Sequence, residues 1–225
     1  YRMLYAGRTI SLTGYIRSGN MSMMRSMQDT LRKTFSSTVE RTMAVIPFQG
    51  ESLYISVRRL TVSMKAERPQ GTGYFVVPFQ ITLRAGDPRF RSAALTRQEV
   101  TFASGFSFTC TSSGNFPAEP VISIGNGATT SITISSPSVL NQTTGEGIMY
   151  SSSLPCGTGE WTTLDTRGSA PTCRNQAEES MWQTLYPGSG SFPRIIPGAN
   201  TIKLSAASIP PGSPKCVVEW NDSWI

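Results

Sequence analysis

Across 8–16 the apolar residues Ile10, Leu12 and Ile16 alternate with Thr9, Ser11, Thr13 and Tyr15. A period of two sends one set of side chains into a core and the other away from it, so this segment is predicted as a strand. After Gly19-Asn20 the period changes. Met24, Met27, Leu31 and Phe35 recur at helical spacing across 22–35, with Ser22 as the expected N-cap and Arg32-Lys33 in the last turn, where they complement the helix dipole. The methionines are read as the packed face of that helix. A short strand is expected at 43–46, stopped by Pro47 and turned at Gly50. In the next segment the apolar phase is odd at Leu53, Ile55 and Val57 but even at Leu60, Val62 and Met64. That slip, at Arg58-Arg59, predicts a β-bulge. Phe75, Val77, Phe79, Ile81 and Leu83 alternate again across 74–83, and Pro78, which cannot donate to a ladder, predicts an edge position or a bulge there. Gly86-Asp87-Pro88 then turns the chain. One helix among strands in this order predicts a sheet or barrel packed against a helix, α+β locally.

Beyond residue 100 the helical period vanishes. Short strands are expected at 100–102, 106–110, 121–124, 131–134, 147–150, 161–164, 201–204 and 216–220, separated by turn-rich segments such as Gly125-Asn126-Gly127, Thr143-Thr144-Gly145 and Pro187-Gly188-Ser189-Gly190. The fold class is therefore mainly β, with a β-sandwich of jelly-roll type in the second half.

Charge divides the chain at the same place. Residues 1–100 carry 15 Lys or Arg against 6 acids, and residues 101–225 carry 5 against 8. The expected domains are 1–100 and 101–225, a basic module and a mildly acidic one, which points to nucleic acid or acidic subunits as partners or to a solvated basic surface. With 38% hydrophobic residues the chain holds enough apolar material for packed cores. No stretch approaches the ~18 apolar residues of a membrane helix. The chain begins at Tyr1 with no charged-then-apolar leader, and a processed or truncated start is the expectation.

Histidine is absent, which removes the commonest general base, the Ser-His-Asp arrangement and every His-ligated zinc site. No glycine cluster opens a helix, so a phosphate-binding loop is not indicated. Cys110, Cys156, Cys173 and Cys216 form no C-x-x-C pair. Three disulfide connectivities stay open, a Cys156–Cys173 staple among them, as do buried free thiols. Glu160 and Asp165, two carboxylates near each other, could serve as a glycosidase acid and nucleophile, but they read more simply as hairpin ends. Trp161, Trp182, Trp220 and Trp224 suit either a sugar platform or the closing of cores. No catalytic, cofactor-binding or metal-binding residue is expected, and the chain is read as a non-enzyme. Arg58, Arg59 and Arg68 are the candidate assembly contacts, against the alternative that they blunt a sheet edge.

The stretch Gly7-Arg8-Thr9-Ile10-Ser11-Leu12-Thr13-Gly14-Tyr15-Ile16, the helix behind it and Gly86-Asp87-Pro88 resemble the ring-forming N-terminal domain of siphophage distal tail proteins. In the same order as in that family follow Ala118-Glu119-Pro120-Val121-Ile122, Trp161-Thr162-Thr163-Leu164-Asp165-Thr166, Pro197-Gly198-Ala199-Asn200-Thr201-Ile202 and Val218-Glu219-Trp220-Asn221-Asp222-Ser223-Trp224-Ile225, which resemble its galectin-like C-terminal sandwich. Four cysteines are more than the family usually carries, and its first strands are expected to be missing ahead of Tyr1. The resemblance implies a virion protein of the phage tail tip, assembled in the host cytoplasm as a hexameric ring. That ring would join the tail-tube protein to the tail-tip or baseplate hub and let DNA pass through its lumen without sequence-specific binding. No cofactor and no membrane insertion are implied. Much of the basic charge is then expected to face neighbouring subunits, because a strongly positive lumen would hold DNA back. The alternative is a non-catalytic carbohydrate-binding sandwich for host adsorption, although galectin-type sugar recognition uses a histidine that this chain lacks.

Overall fold

The structure is a computed structural model that describes residues 7–36, 39–46, 52–65, 73–125, 131–151, 153–167, 170–186, 191–209 and 211–225, and the backbone of 68–70. It is mainly β, with one α-helix, and divides into two compact units, Arg2–Phe90 and Arg91–Ile225. No helix among the described residues is long and apolar enough to cross a membrane.

The first unit is an antiparallel sheet with a helix on one face. β1 (Arg8–Ser18) pairs along its whole length with β5 (Tyr74–Ala85), and β5 pairs on its other side with β3 (Leu53–Met64) and β4 (Arg68–Gln70). β2 (Arg41–Val45) pairs with the first half of β3. The alternation in β1 keeps Ile10, Leu12 and Ile16 on the core side and leaves Thr9, Ser11, Thr13 and Tyr15 exposed. The expected bulge is present: the β3–β5 register shifts between Arg59 and Thr61, Leu60 is the extra residue, and the inward phase changes from odd to even across it.

α1 (Met21–Thr34) is capped two residues earlier than its sequence indicates. Asn20, in extended conformation, is the N-cap, and its side chain accepts the Ser22 N–H at 2.8 Å, so Ser22 is inside the helix and does not cap it. Its buried residues are Met24 and Gln28, with Leu31 and Phe35 partly buried in the cores. Met27, expected on the packed stripe, is 37% exposed because the buried line runs i, i+4, i+7 from Met24.

Pro78 corrects the edge half of an expectation and meets its bulge half, since between Met64↔Phe79 and Arg68↔Val76 three residues face two. It lies in β5, between β1 and β3, not at an edge. Its carbonyl accepts the Lys65 N–H at 3.1 Å, so the side on which it lacks an N–H faces the interval between the end of β3 at Met64 and the start of β4 at Arg68. The reciprocal bond, to the Lys65 carbonyl, is the one the proline forgoes, and the β3 ladder ends there. The expected turn at Pro47 and Gly50 lies outside the described residues.

β6 (Phe90–Ser92) spans the division between the units. The second unit contains β7 (Thr96–Thr101), β8 (Ser107–Ser112), β9 (Val121–Gly125), β10 (Ile132–Ile134), β11 (Ser138–Asn141), β12 (Glu146–Met149), β13 (Leu154–Cys156), β14 (Trp161–Asp165), β15 (Thr172–Arg174), a 3-10 turn at Trp182–Thr184, β16 (Gly198–Ser205), β17 (Lys215–Trp220) and β18 (Ser223–Trp224). A four-stranded sheet, β12-β11-β16-β8, and a five-stranded sheet, β15-β14-β9-β17-β7, share one core with the β10-β13 ribbon. Phe108, Val139, Ile202 and Leu204 from the first meet Ile122, Ile124, Leu164, Val218 and Trp220 from the second, which is a β-sandwich. β7 pairs with β17, so the unit begins ahead of residue 100.

Two of the polar motifs prove to be latches of this sandwich. Asn200 is fully buried; its Oδ1 accepts the Ile196 N–H at 2.9 Å and an Asn141 amide N–H at 3.1 Å, while its Nδ2 donates to the carbonyls of Cys110, Ile196 and Gly198. Asp222 accepts from the Trp220 indole N–H at 3.0 Å, the Ser112 hydroxyl at 2.7 Å and the Ser113 N–H at 3.1 Å. Gly114 closes that corner, since a β-carbon there would lie 2.3 Å from the Ser223 carbonyl oxygen.

All four cysteines are thiols, outside any disulfide, buried in the sandwich core. Burial pushes the Cys110 thiol up to about 12 and that of Cys156, with Glu160 adding to the effect, to about 11. Tyr150, whose hydroxyl is 3.8 Å from the Cys173 sulfur, is driven well above its ordinary value by the same burial. These thiols behave as small apolar side chains.

Candidate functional site

The candidate assembly arginines do not form one cluster. Arg58 is exposed on β3 and stands directly opposite Arg84 of β5, whereas Arg59 is half-buried opposite Leu83, beside the bulge. The backbone of Arg68 pairs with Val76, eight positions further along β5 and thus about 26 Å from the Arg84 row. The Arg68 side chain lies outside the described residues.

The register instead reveals a patterned face. On the side of the sheet away from the cores, successive cross-strand rows are Thr9–Arg84–Arg58, Ser11–Thr82–Thr61 and Thr13–Gln80–Ser63, followed by the pairs Tyr15–Pro78 and Arg17–Val76. The face has a hydroxyl-and-amide centre, with basic residues toward its ends: Arg58 and Arg84 at one, Lys65 and Arg17 at the other. None of these four cations has an acidic partner among the described residues, and Arg17 lies over the Tyr74 ring at 4.1 Å. Like charges directly opposite on paired strands are unfavourable, so the Arg58–Arg84 pair is a place where a negatively charged group would be welcomed. The sequence showed both arginines, but their juxtaposition depends on the bulged register.

β1 is the edge of this sheet, and among the described residues it pairs with β5 alone. Eleven residues, about 36 Å of strand, carry no proline, and the only charges, Arg8 and Arg17, lie toward the two ends. Tyr15 is 75% exposed. Beside it, a shallow groove between β1 and α1 is lined by Tyr15, Arg17, Met27, Thr30 and Thr34. The Leu12 and Ile16 side chains that share this strand are held by the core, which fixes the edge in place.

In the sandwich, the carboxylates expected as hairpin ends are that. Glu160 accepts the Gly157 N–H at 2.9 Å. Asp165, at the far end of β14, accepts the Arg167 backbone N–H at 2.9 Å and two guanidinium N–H groups at 3.0 and 2.8 Å. Burial alone would raise its pKa, but these bonds from Arg167 outweigh it and hold the carboxyl below the ordinary range. Five residues of extended chain separate the two acids by about 16 Å, too far for the paired carboxylates of a glycosidase. Among the described residues no group of three or more Cys, Asp or Glu is placed to hold a metal ion.

The tryptophans separate by role. Trp220 is buried and closes the core; Trp182 is 39% exposed and packs on Phe192 at 5.9 Å between ring centroids. Trp161 lies on the outer face of the five-stranded sheet, opposite Gly125 of β9.

No protein-family model matches the chain, and no curated protein matches it.

Proposed function

We propose that this chain is a non-enzymatic structural protein of a tailed phage. In this reading it forms a ring, six copies in the resembled family, at the distal end of the tail tube, and its second unit is a galectin-like sandwich. Its partners are further copies of itself, the tail-tube protein and the tail-tip hub, with DNA passing through the lumen; its place is the virion tail tip after assembly in host cytoplasm. It uses no cofactor.

The observation that carries this reading is the long, unprotected edge of β1. Such an open edge invites strand addition, and when the added strand is a different edge of an identical copy the contact is head-to-tail and closes into a ring if the rotation per subunit closes, whereas β1 against β1 would give a two-fold dimer. The groove beside α1 supplies side-chain contacts for the incoming strand. The outer face supports the same reading: its uncharged hydroxyl rows would let a polyanion slide, while its basic ends are positioned for acidic neighbours.

The test is mass and symmetry of the purified chain, by light scattering and negative-stain imaging, alone and with tail-tube and hub proteins. A closed ring that caps the tube is expected. Ser11→Lys with Thr13→Lys, both at exposed positions of β1, charges the edge and is expected to leave a folded monomer. A wild-type chain that stays monomeric with both partners, or a ring indifferent to the double substitution, would overturn the reading. Normal tail assembly after charge reversal of Arg58, Arg59 and Arg68 would remove those three as assembly contacts.

A further inference from the structure

We infer that the outer face of the five-stranded sheet carries a binding site for a neutral saccharide, centred on Trp161. The inference concerns the sandwich alone and does not depend on the ring. Strand alternation in β14 buries Thr162 and Leu164 and turns Trp161, Thr163 and Asp165 outward; β15 buries Cys173 and turns Thr172 and Arg174 outward beside them. These residues line a cleft of about 400 Å3 that also includes Asn175 and Glu178. The volume is within the ~300–1,000 Å3 typical of small-molecule sites.

Gly125 explains the position of the indole. A β-carbon at residue 125 would meet Cδ2 and Cε3 of Trp161 at 2.5 and 2.6 Å, so only glycine lets the six-membered ring rest across β9. A tryptophan on an outward sheet face, partly exposed and seated against backbone, is a rigid apolar platform. A pyranose presents a matching surface, one face of C–H groups ringed by hydroxyls that both donate and accept.

The groups around the platform suit that rim and are already held in place. Asp165 is bonded by Arg167, Arg174 donates to Glu178 at 2.9 Å, and Ser123 and Thr163 share a hydroxyl contact at 2.9 Å. The Asn175 side chain is fixed by the backbone N–H groups of Ala177 and Glu179. Pre-set polar groups reduce the ordering cost of a weak ligand. The balance of charge chooses the ligand class: Asp165 and Glu178 offset Arg167 and Arg174, which disfavours a phosphate-bearing polymer and favours an uncharged polyol.

The experiment is saturation-transfer NMR on the full chain with cellobiose, maltose, lactose and chitobiose, followed by titration of tryptophan fluorescence with any disaccharide that responds. Transfer to the protons of one sugar face from at least one disaccharide is expected. Trp161→Ala should weaken that binding about tenfold or more, Asp165→Asn should weaken it less, and Trp182→Ala should leave it unchanged. If Trp161→Ala fails to fold, Trp161→Tyr keeps a flat ring and should retain binding that Asp165→Asn then reduces. Absence of transfer from all four disaccharides, binding that survives loss of Trp161, or binding lost with Trp182 would each overturn the inference.

Discussion

In Arg91–Ile225 two sheets close over one core that draws on nearly every strand, and the charges are mostly answered locally: Arg97 by Glu99 and Glu219, Arg167 by Asp165, Arg174 by Glu178, Arg194 by Glu146, Lys215 by Glu99. In Arg2–Phe90 a single sheet has one helix on one face, two small buried clusters, an open edge, and arginines and a lysine with no acidic partner among the described residues. Thirteen Lys or Arg against five acids in that unit make the difference one of composition as well as geometry. The sandwich answers most of its own charges, and its edge strands β7, β8, β12 and β15 are short. The sheet keeps a long edge, a patterned face and several cations exposed, and the proposed assembly rests on that difference.

The contrast can be broken from the sandwich side first. Asn200→Ala should cost about 4 kcal/mol, because it strands the buried Asn141 amide N–H and Cys110 carbonyl together with the half-buried Ile196 N–H. All four tryptophans lie beyond residue 160, so intrinsic fluorescence during urea unfolding reads the sandwich alone. Its midpoint should fall while the helix signal at 222 nm, which comes mainly from α1, keeps its own. A common shift of both transitions would mean that the units unfold as one, and that the sheet is less independent than its separate cores imply.

The sheet can be weakened in its turn through Met24, fully buried against Ile16 and Val77. Met24→Ala should cost about 3 kcal/mol, and with so small a cluster no second core layer takes up the loss. The expected readout is a lower midpoint in ellipticity with tryptophan fluorescence unmoved. Asn20→Ala removes the N-cap of the same helix and should cost about 1 kcal/mol, while Asn20→Gly should cost only a few tenths. Equal losses for the two would show that the cap bond contributes little.

These elements were unequally legible in the chain. β1 and α1 declare themselves because each has one buried and one exposed face, which is the condition under which periodicity is informative. The bulge was legible for the same reason: an inserted Leu60 reverses the phase of everything after it. β11 and β15 escaped because each has a single buried apolar residue, Val139 or Cys173, which sets no period, and β13 because Pro155 stands at its centre. Pro78 misled because its tolerance depends on where neighbouring strands stop, a tertiary fact. Arg84 facing Arg58, and Trp161 seated on Gly125, are separated by 26 and 36 positions in the chain. Only register brings them together. The motifs around Asn200 and Asp222 were read as a family resemblance, and their physical content, buried amide and carboxylate latches, needed the strands they join.

The smallest expected effect sharpens the claim that the sandwich answers its own charges. Asp165 titrates below an unfolded carboxyl, for which ~3.9 is usual, because the bonds from Arg167 overcome the cost of its burial. A depressed folded value means that the pair stabilises the fold above the unfolded pKa and that this contribution is lost as pH falls through the lower, folded one. Arg167→Gln should therefore lower the fluorescence-detected midpoint at neutral pH, and the gap from wild type should close progressively below about pH 4. With both side chains about a third exposed, 31% and 38%, solvent screening limits the gap to about 1 kcal/mol at most. Arg58→Gln on the sheet should behave oppositely: with no carboxylate to release and Arg84 directly opposite, it should raise the ellipticity midpoint slightly at low salt and lose that gain as salt screens the pair. A loss of stability from Arg58→Gln would mean that this arginine, too, is answered within its own unit.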